Sequence, residues 1–386
     1  MKIFTLFLFL GIFCSCNRTK QKINNEEPQH GSVVIDSTVY HSIKDNRIKI
    51  DINSPQKASL FDYFSHIELI PLETNNEVLI GYCEEIICYK GRYYVFDRDQ
   101  QKIQVFDDNG SFIFKIDKRG QGPGDYSEIR SIYLNTFTEN IDIVGMGFIY
   151  SYNLSGNHVR TLRPSNLKSI FDNIIAVNDK TYVLYTGYKG EKIHYFDLED
   201  NKIFRQEYEE DPFFNENVHI SAQSPFYEYN GKGFFYRIAD NKTYEVGADS
   251  LITAYILDFG RYNYDPQKLG LPNDPTSIIT LPYRMDIQGQ NNKYLFAQIL
   301  LHDNIPLIMI YDKSTDEERL IKNFIEQVDF VPRKVSNEYV LSWCSHGALE
   351  RYVTKDILDN DNFQKLNKLL NSKEEENTII IKYYFK

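Results

Sequence analysis

Residues Ile86–Ile116 read IICYKGRYYVFDRDQQKIQVFDDNGSFIFKI, four short apolar runs separated by KG, RDQQ and DDNG. The runs are built from Tyr, Phe, Val and Ile, whose flat or branched side chains suit a pleated, half-buried surface. DDNG between two such runs is a strong hairpin signal, because Asn and Gly tolerate the positive φ that a tight turn requires. The four-run unit returns as SIYLNTFTENIDIVGMGFIYSYNLSGNHVRTL from Ser131 and as NIIAVNDKTYVLYTGYKGEKIHYFDLEDNKIFRQ from Asn173. It recurs less clearly from Pro225 and from Tyr283. Third runs begin at Ile103, Ile149, Ile193, Thr243 and Pro306, in steps of 46, 44, 50 and 63 residues. Four strands in about 45 residues is the period of a propeller blade.

Five blades are then complete, and the leftover apolar segments make a sixth. DFVPRKV, YVLSWCS and NTIIIKYYFK supply three strands, and FSHIELIPLE (Phe64–Glu73), stranded ahead of blade 1, supplies the outer one. Such closure pairs the two ends of the chain and removes open sheet edges. The expected fold is therefore all-β, a six-bladed β-propeller whose N-terminal strand closes the last blade. One helical insertion is expected near the C-terminus, in DILDNDNFQKLNKLLNSKEEEN. There Phe363, Leu366, Leu369 and Leu370 share a face after a cap at Asn360 or Asp361.

Three stretches, IELIPLETNNEVLIG, YYVFDRDQQKIQVFDDNGSFIFKI and RGQGPGDY, carry a family resemblance. The chain resembles the six-bladed β-propeller lipoproteins of Bacteroides-type bacteria, relatives of NHL-repeat propellers, from about residue 60 to 385. The resemblance implies a propeller at the cell envelope and transfers no catalytic residue.

The N-terminus fits that address. MKIFTLFLFLGIFCSC has an early cation at Lys2 and an apolar run from Ile3 to Phe13. That run is too short to span a bilayer but has the length of a secretory h-region. FCSC resembles a lipobox, implying cleavage before Cys16 and its acylation, a tether to the membrane. Residues 1–15 are thus read as a lipoprotein signal peptide, 16–59 as a flexible leash and 60–386 as the propeller. The order NRTKQK after Cys16 is basic, where surface-exported lipoproteins of this group carry acids. This points to an outer-membrane lipoprotein facing the periplasm.

Composition narrows the partners. The formal net charge is −11, and losing residues 1–15 removes Lys2 and no acid, which disfavours nucleic acid as a partner. Besides Cys16, the mature chain has Cys83, Cys88 and Cys344, with no CxxC pair. This gives no disulfide framework and no zinc site, although Cys83 and Cys88 could pair in an oxidising periplasm.

Glycine concentrates in KIDKRGQGPGDYSEI, where Gly120, Gly122, Pro123 and Gly124 fall within five positions. Three readings stand: a corner between blades 1 and 2, a corner that also presents Arg119, Gln121, Asp125 or Tyr126 to a ligand, and a phosphate loop. The last needs a helix after it, and YSEIRSIYL reads as strand. Turns between first and second strands are short throughout. Those between second and third strands, with the blade crossings, are read as longer, and both emerge on one face. Function concentrates in such loops. Candidate ligand-binding residues on that face are Arg119, Gln121, Asp125, Tyr126 and Glu128, with Arg130, Arg237, Arg284, His302 and His346 near the channel mouth.

Two functional classes are carried forward. One is an envelope-anchored propeller, expected as a monomer, that binds or scaffolds a peptide, glycan or envelope protein. The other is a hydrolase or lyase of lactonase/NHL type, which would need a divalent metal in the central channel. No other cofactor is indicated. The eight His residues include no HxH or HxxxH pair, and HExxH, GxSxG and Walker sequences are absent. DRDQQ and DLEDN each resemble a fragment of a calcium loop, but lack the continuing acidic positions and read equally as Asp-rich turns.

Overall fold

The computed structural model describes residues 46–187, 192–207, 224–238, 240–263, 283–301, 304–372 and 376–386. Three strands precede the first blade: β1 (Arg47–Lys49), β2 (Gln56–Ala58) and β3 (Phe64–Pro71). Blade 1 is β4 (Cys83–Tyr89), β5 (Arg92–Asp97), β6 (Lys102–Asp107) and β7 (Phe112–Ile116). Blade 2 is β8 (Ser131–Asn135), β9 (Asn140–Gly145), β10 (Phe148–Asn153) and β11 (His158–Leu162). Blade 3 is β12 (Asn173–Ala176), β13 (Thr181–Thr186), β14 (Lys192–Asp197) and β15 (Lys202–Glu207). Blade 4 is β16 (Phe226–Tyr229), β17 (Lys232–Tyr236), β18 (Lys242–Val246) and β19 (Leu251–Asp258). Blade 5 is β20 (Tyr283–Gln290), β21 (Tyr294–Leu301), β22 (Pro306–Asp312) and β23 (Glu317–Phe324). Blade 6 joins β24 (Lys334–Val335), β25 (Tyr339–Cys344) and β26 (Ile379–Phe385) to β3, in the order β24-β25-β26-β3.

The six-bladed propeller and its closure by an N-terminal strand are as the repeat predicts. β26 and β3 run antiparallel from Ile379↔Pro71 to Phe385↔Phe64. The core is a ring of interfaces between blades, and the strand period of two explains it. On β5, Tyr94 and Phe96 pack with blade 2, whereas Tyr93 and Val95 pack with Leu341, Trp343 and Ile380 of blade 6. On β13, Tyr182 and Leu184 face blade 2 while Val183 and Tyr185 face blade 4. A middle strand is thus covered on both faces, so it reads as a continuous apolar run. Its alternation is one of destination, not of polarity.

The segment expected as leash over 16–59 is shorter at its C-terminal end. β1 adds parallel to β19 on the outside of blade 4, and β2 adds parallel to β23 on the outside of blade 5. Ile48 and Ile50 are buried between blades 4 and 5, and Ala58 and Leu60 between blades 5 and 6. The chain therefore passes along the outer edges of blades 4 and 5 before becoming β3, the outer strand of blade 6. The RIKIDI alternation of Ile48, Ile50 and Ile52 is the signal for this.

The insertion in blade 6 holds a single turn, α1 (Leu349–Tyr352), and the expected helix, α2 (Asn360–Leu370). The cap is Asp359, one residue before the expected pair, and its carboxylate accepts the Asn362 N–H at 2.9 Å. Leu366 and Leu369 are buried, but Leu370 is exposed. Buried Asn362 takes the remaining inward position, where its side-chain oxygen accepts the Leu69 N–H at 2.8 Å, and Lys365 donates to the Leu69 carbonyl at 3.0 Å. The helix thereby satisfies backbone groups on the outer edge of β3 that would otherwise be buried without partners.

Cys83 and Cys88 are both free thiols at the two ends of β4. At about 3.3 Å per residue they lie roughly 16 Å apart, beyond the ~7 Å Cα limit of a disulfide. Pairing them is excluded.

Candidate functional site: the central channel

The six innermost strands, β4, β8, β12, β16, β20 and β24, enclose a cavity of about 650 Å³. Second-strand residues Tyr236, Gln298, Tyr339, Leu341 and Trp343 complete its wall. Four carboxylates line it, Glu84, Glu85, Glu228 and Asp286, against two cations, Arg333 and Lys334. Each sits on or beside an inner strand, in CEEIICY, FYEY, YRMDIQ or VPRKV. A charge inside a short apolar strand was the sequence signal for them, and the loop-based reading passed over it.

Most of these charges are engaged. Lys334 Nζ lies 2.6 Å from Glu85 Oε1, and Arg98 lies 3.1 Å from Glu84 while stacking over Tyr82. The Tyr133 hydroxyl donates to Glu228 at 2.6 Å. Glu228 opens onto the channel yet is closely surrounded by protein, and this desolvation raises its carboxyl pKa against the opposing pull of Tyr133 and the Lys334 charge. Burial likewise raises Asp286, opposed by the charges of Arg333 and Arg284. Arg333 packs its guanidinium 4.7 Å from the Trp343 ring centre. Cys88 also lines the cavity, but burial pushes its thiol up to about 11, which leaves it a poor nucleophile.

None of the nine described residues among the ten predicted for that face lies in the channel wall. The glycine-rich stretch is a corner: Gly120 N–H bonds the Tyr126 carbonyl and Tyr126 N–H bonds the Lys118 carbonyl, both at 3.0 Å. Gly124 has φ +83°, and a Cβ there would meet the His158 ring at 2.6 Å. Asp125 caps the turn by accepting the Gly122 N–H at 2.9 Å. Tyr126 is wholly buried, its hydroxyl donating to the Gln101 carbonyl at 3.0 Å, so it anchors the corner and is not offered to a ligand. Arg119 and Gln121 are exposed on it, and Glu128 is half-buried and held 3.3 Å from Arg130.

Arg130 is chiefly engaged with Asp172, at 2.5 and 2.8 Å. Arg237 is buried at the end of β17, and Arg284 bonds Asn304. The His346 Nε2 sits 2.9 Å from the Leu369 carbonyl, locking α2 onto the blade. His302 and Cys16 fall outside the described residues. The loop between β9 and β10 is only Met146 and Gly147, so second-to-third connections are not uniformly long.

DRDQQ and DLEDN are Asx turns. Asp97 accepts the backbone N–H of Gly81, Tyr82 and Gln100, and Asp197 those of Glu199 and Asp200. Among the described residues no three of His, Cys, Asp and Glu group closely enough to hold a metal ion. Among them also, no helix is long and apolar enough to cross a membrane.

Residues 45–384 match the model of a family described as a domain of unknown function (DUF4934), and the chain belongs to that family. A comparison with curated proteins finds no match. Among solved structures, the chain is similar to a Bacteroides fragilis protein described as a candidate for export. The TM-score is 0.66 at 15% identity, covering 88% of this chain and 98% of that one. It is also similar to a DUF4221-family member from Bacteroides vulgatus, with TM-score 0.52 at 12% identity, covering 83% and 96%. At these identities the likeness is one of fold.

Proposed function

We propose that this chain is an envelope-anchored binding propeller that takes its ligand in the central channel. The observation that carries the reading is the cavity of about 650 Å³, ligand-sized and walled by six strands from six different blades, with charged and aromatic groups converging on it. A rigid ring suits binding, because the wall residues are fixed by the packing between blades and little ordering remains to oppose association. Peptides and glycans are the ligands in view. They offer the hydrogen-bonding groups and flat faces that Glu228, Asp286, Gln288 and the channel tyrosines would meet.

The anchor is the second part of the proposal. Acylation at Cys16 would hold the protein on the periplasmic leaflet of the outer membrane, and the fold likeness to a candidate exported protein supports an address outside the cytoplasm.

Calorimetry against short oligosaccharides and oligopeptides tests the site, using wild type, Glu228→Gln and Thr136→Trp, the last narrowing the channel from an exposed wall position. Binding by wild type that falls at least tenfold in Thr136→Trp is expected; equal binding by that variant would overturn the channel as the site. Fractionation of Cys16→Ala should show loss from the membrane, and unchanged membrane association would overturn the anchor.

A further inference from the structure

Resting on the channel being the ligand site, we propose that its blade 5 and blade 6 wall is a carboxylate-recognition subsite built on Arg333 and Trp343. β24 is only two residues long, so Arg333 lies just ahead of it in a local turn closed by its own N–H to the Val331 carbonyl at 2.9 Å. Its side chain lies with the guanidinium 4.7 Å from the ring centre of Trp343, which is buried on β25. Stacking on an indole fixes the plane of a guanidinium and leaves its edge free.

No hydrogen bond or ion pair joins the Arg333 side chain to any described residue, and its Nε is buried without a partner. The contrast with its neighbour is direct, since Lys334 is neutralised by Glu85. Asp286 feels the Arg333 charge but is not in contact with it. Trp343 Nε1 is a second buried donor with no partner, and Gln298 Oε1, across on β21, is a buried acceptor with none. All three residues line the cavity. Orphaned donors and a lone guanidinium at one wall, with a single orphaned acceptor beside them, describe what a ligand must bring: an anionic oxygen pair and a neighbouring hydrogen-bond donor.

Charge selects a carboxylate over a phosphate. Around the cavity, Glu85 is paired with Lys334 and Glu84 with Arg98, so the Arg333 guanidinium is the one positive charge of the lining in no ion pair with a described residue. A monoanion matches it and fits the planar fork of arginine. A dianion would face the negative field of Glu228 and Asp286.

Such a carboxylate can come from an acidic sugar or from a peptide C-terminus, and calorimetry separates them. Methyl galacturonoside, which carries a single carboxylate, is compared with neutral methyl galactoside, and trialanine with its C-terminal amide, on wild type, Arg333→Met and Arg333→Lys, each first shown to melt cooperatively. The acid form of one pair is expected to bind wild type at least tenfold more tightly than its neutral form, which identifies the source. Arg333→Met is expected to erase that preference, bringing the acid and neutral forms to within about twofold of each other, and Arg333→Lys to retain part of it. Equal binding of acid and neutral forms would overturn the carboxylate subsite alone, as would full preference in Arg333→Met or no acid binding up to 10 mM in either pair. Binding unaffected by Thr136→Trp would instead overturn the channel reading on which it rests.

Discussion

Two truncations separate the contribution of the edge-following segment from that of the closing strand. Taking a protein that begins at Asn17 as parent, one variant starts at Leu60 and lacks β1 and β2, and the other starts at Ile80 and lacks β3 as well. The first loses the buried side chains of Ile48 and Ile50, with the smaller Ala58. At about 1.5–3 kcal/mol per fully buried large aliphatic side chain, the loss is roughly 3–6 kcal/mol. That is a large part, not all, of a typical net stability of about 5–15 kcal/mol. The second also loses Leu60, Tyr63, Phe64, Ile67, Leu69, Ile70, Leu72 and Val78, each buried, together with the β26 ladder and the carbonyl and N–H that Asn362 and Lys365 satisfy. On the same scale that sum exceeds any reasonable net stability. Thermal melts followed by near-ultraviolet dichroism are the assay. The Leu60 variant should melt cooperatively at a lower temperature, and the Ile80 variant should show no cooperative transition. An Ile80 variant melting within a few degrees of the parent would refute the closure of blade 6 by β3.

Gly124→Val should destabilise by about 1–3 kcal/mol or more in chemical denaturation, because it forces a β-branched residue to φ +83° against the His158 ring; Gly147→Ala, at φ +81° with open space around it, isolates the backbone part of that cost. Buried His194 has its pKa lowered to about 4, chiefly by desolvation and then by the Lys192 charge. Below the ordinary value of 6.5 the unfolded chain binds the proton and the native one does not, so stability should fall as pH drops from about 6.5 to 4, by up to roughly 3 kcal/mol. His194→Phe should flatten that part of the stability profile, and an unchanged slope would show that other groups set it.

The propeller was legible because each blade repeats the same local grammar. Turn residues such as Asp107 to Gly110 act over a few positions, and strand pairing within a blade is between neighbours in the chain, as Phe112↔Phe106 shows. Even the closure could be counted, since one strand was left over at each end. The candidate site was not legible in the same way. Tyr126 looked presentable to a ligand in the sequence, and only the fold turns its hydroxyl inward to the Gln101 carbonyl. Arg333, Trp343, Gln298 and Asp286 lie on four separate segments between 286 and 343 and share one wall only because blades 5 and 6 are adjacent in the ring. The paths of Ile48, Ile50 and Ala58 along the outer blades follow the same logic. Local propensity and turn chemistry act within a few residues and so are written in the sequence, whereas a channel wall assembled from six blades exists only once the ring has closed.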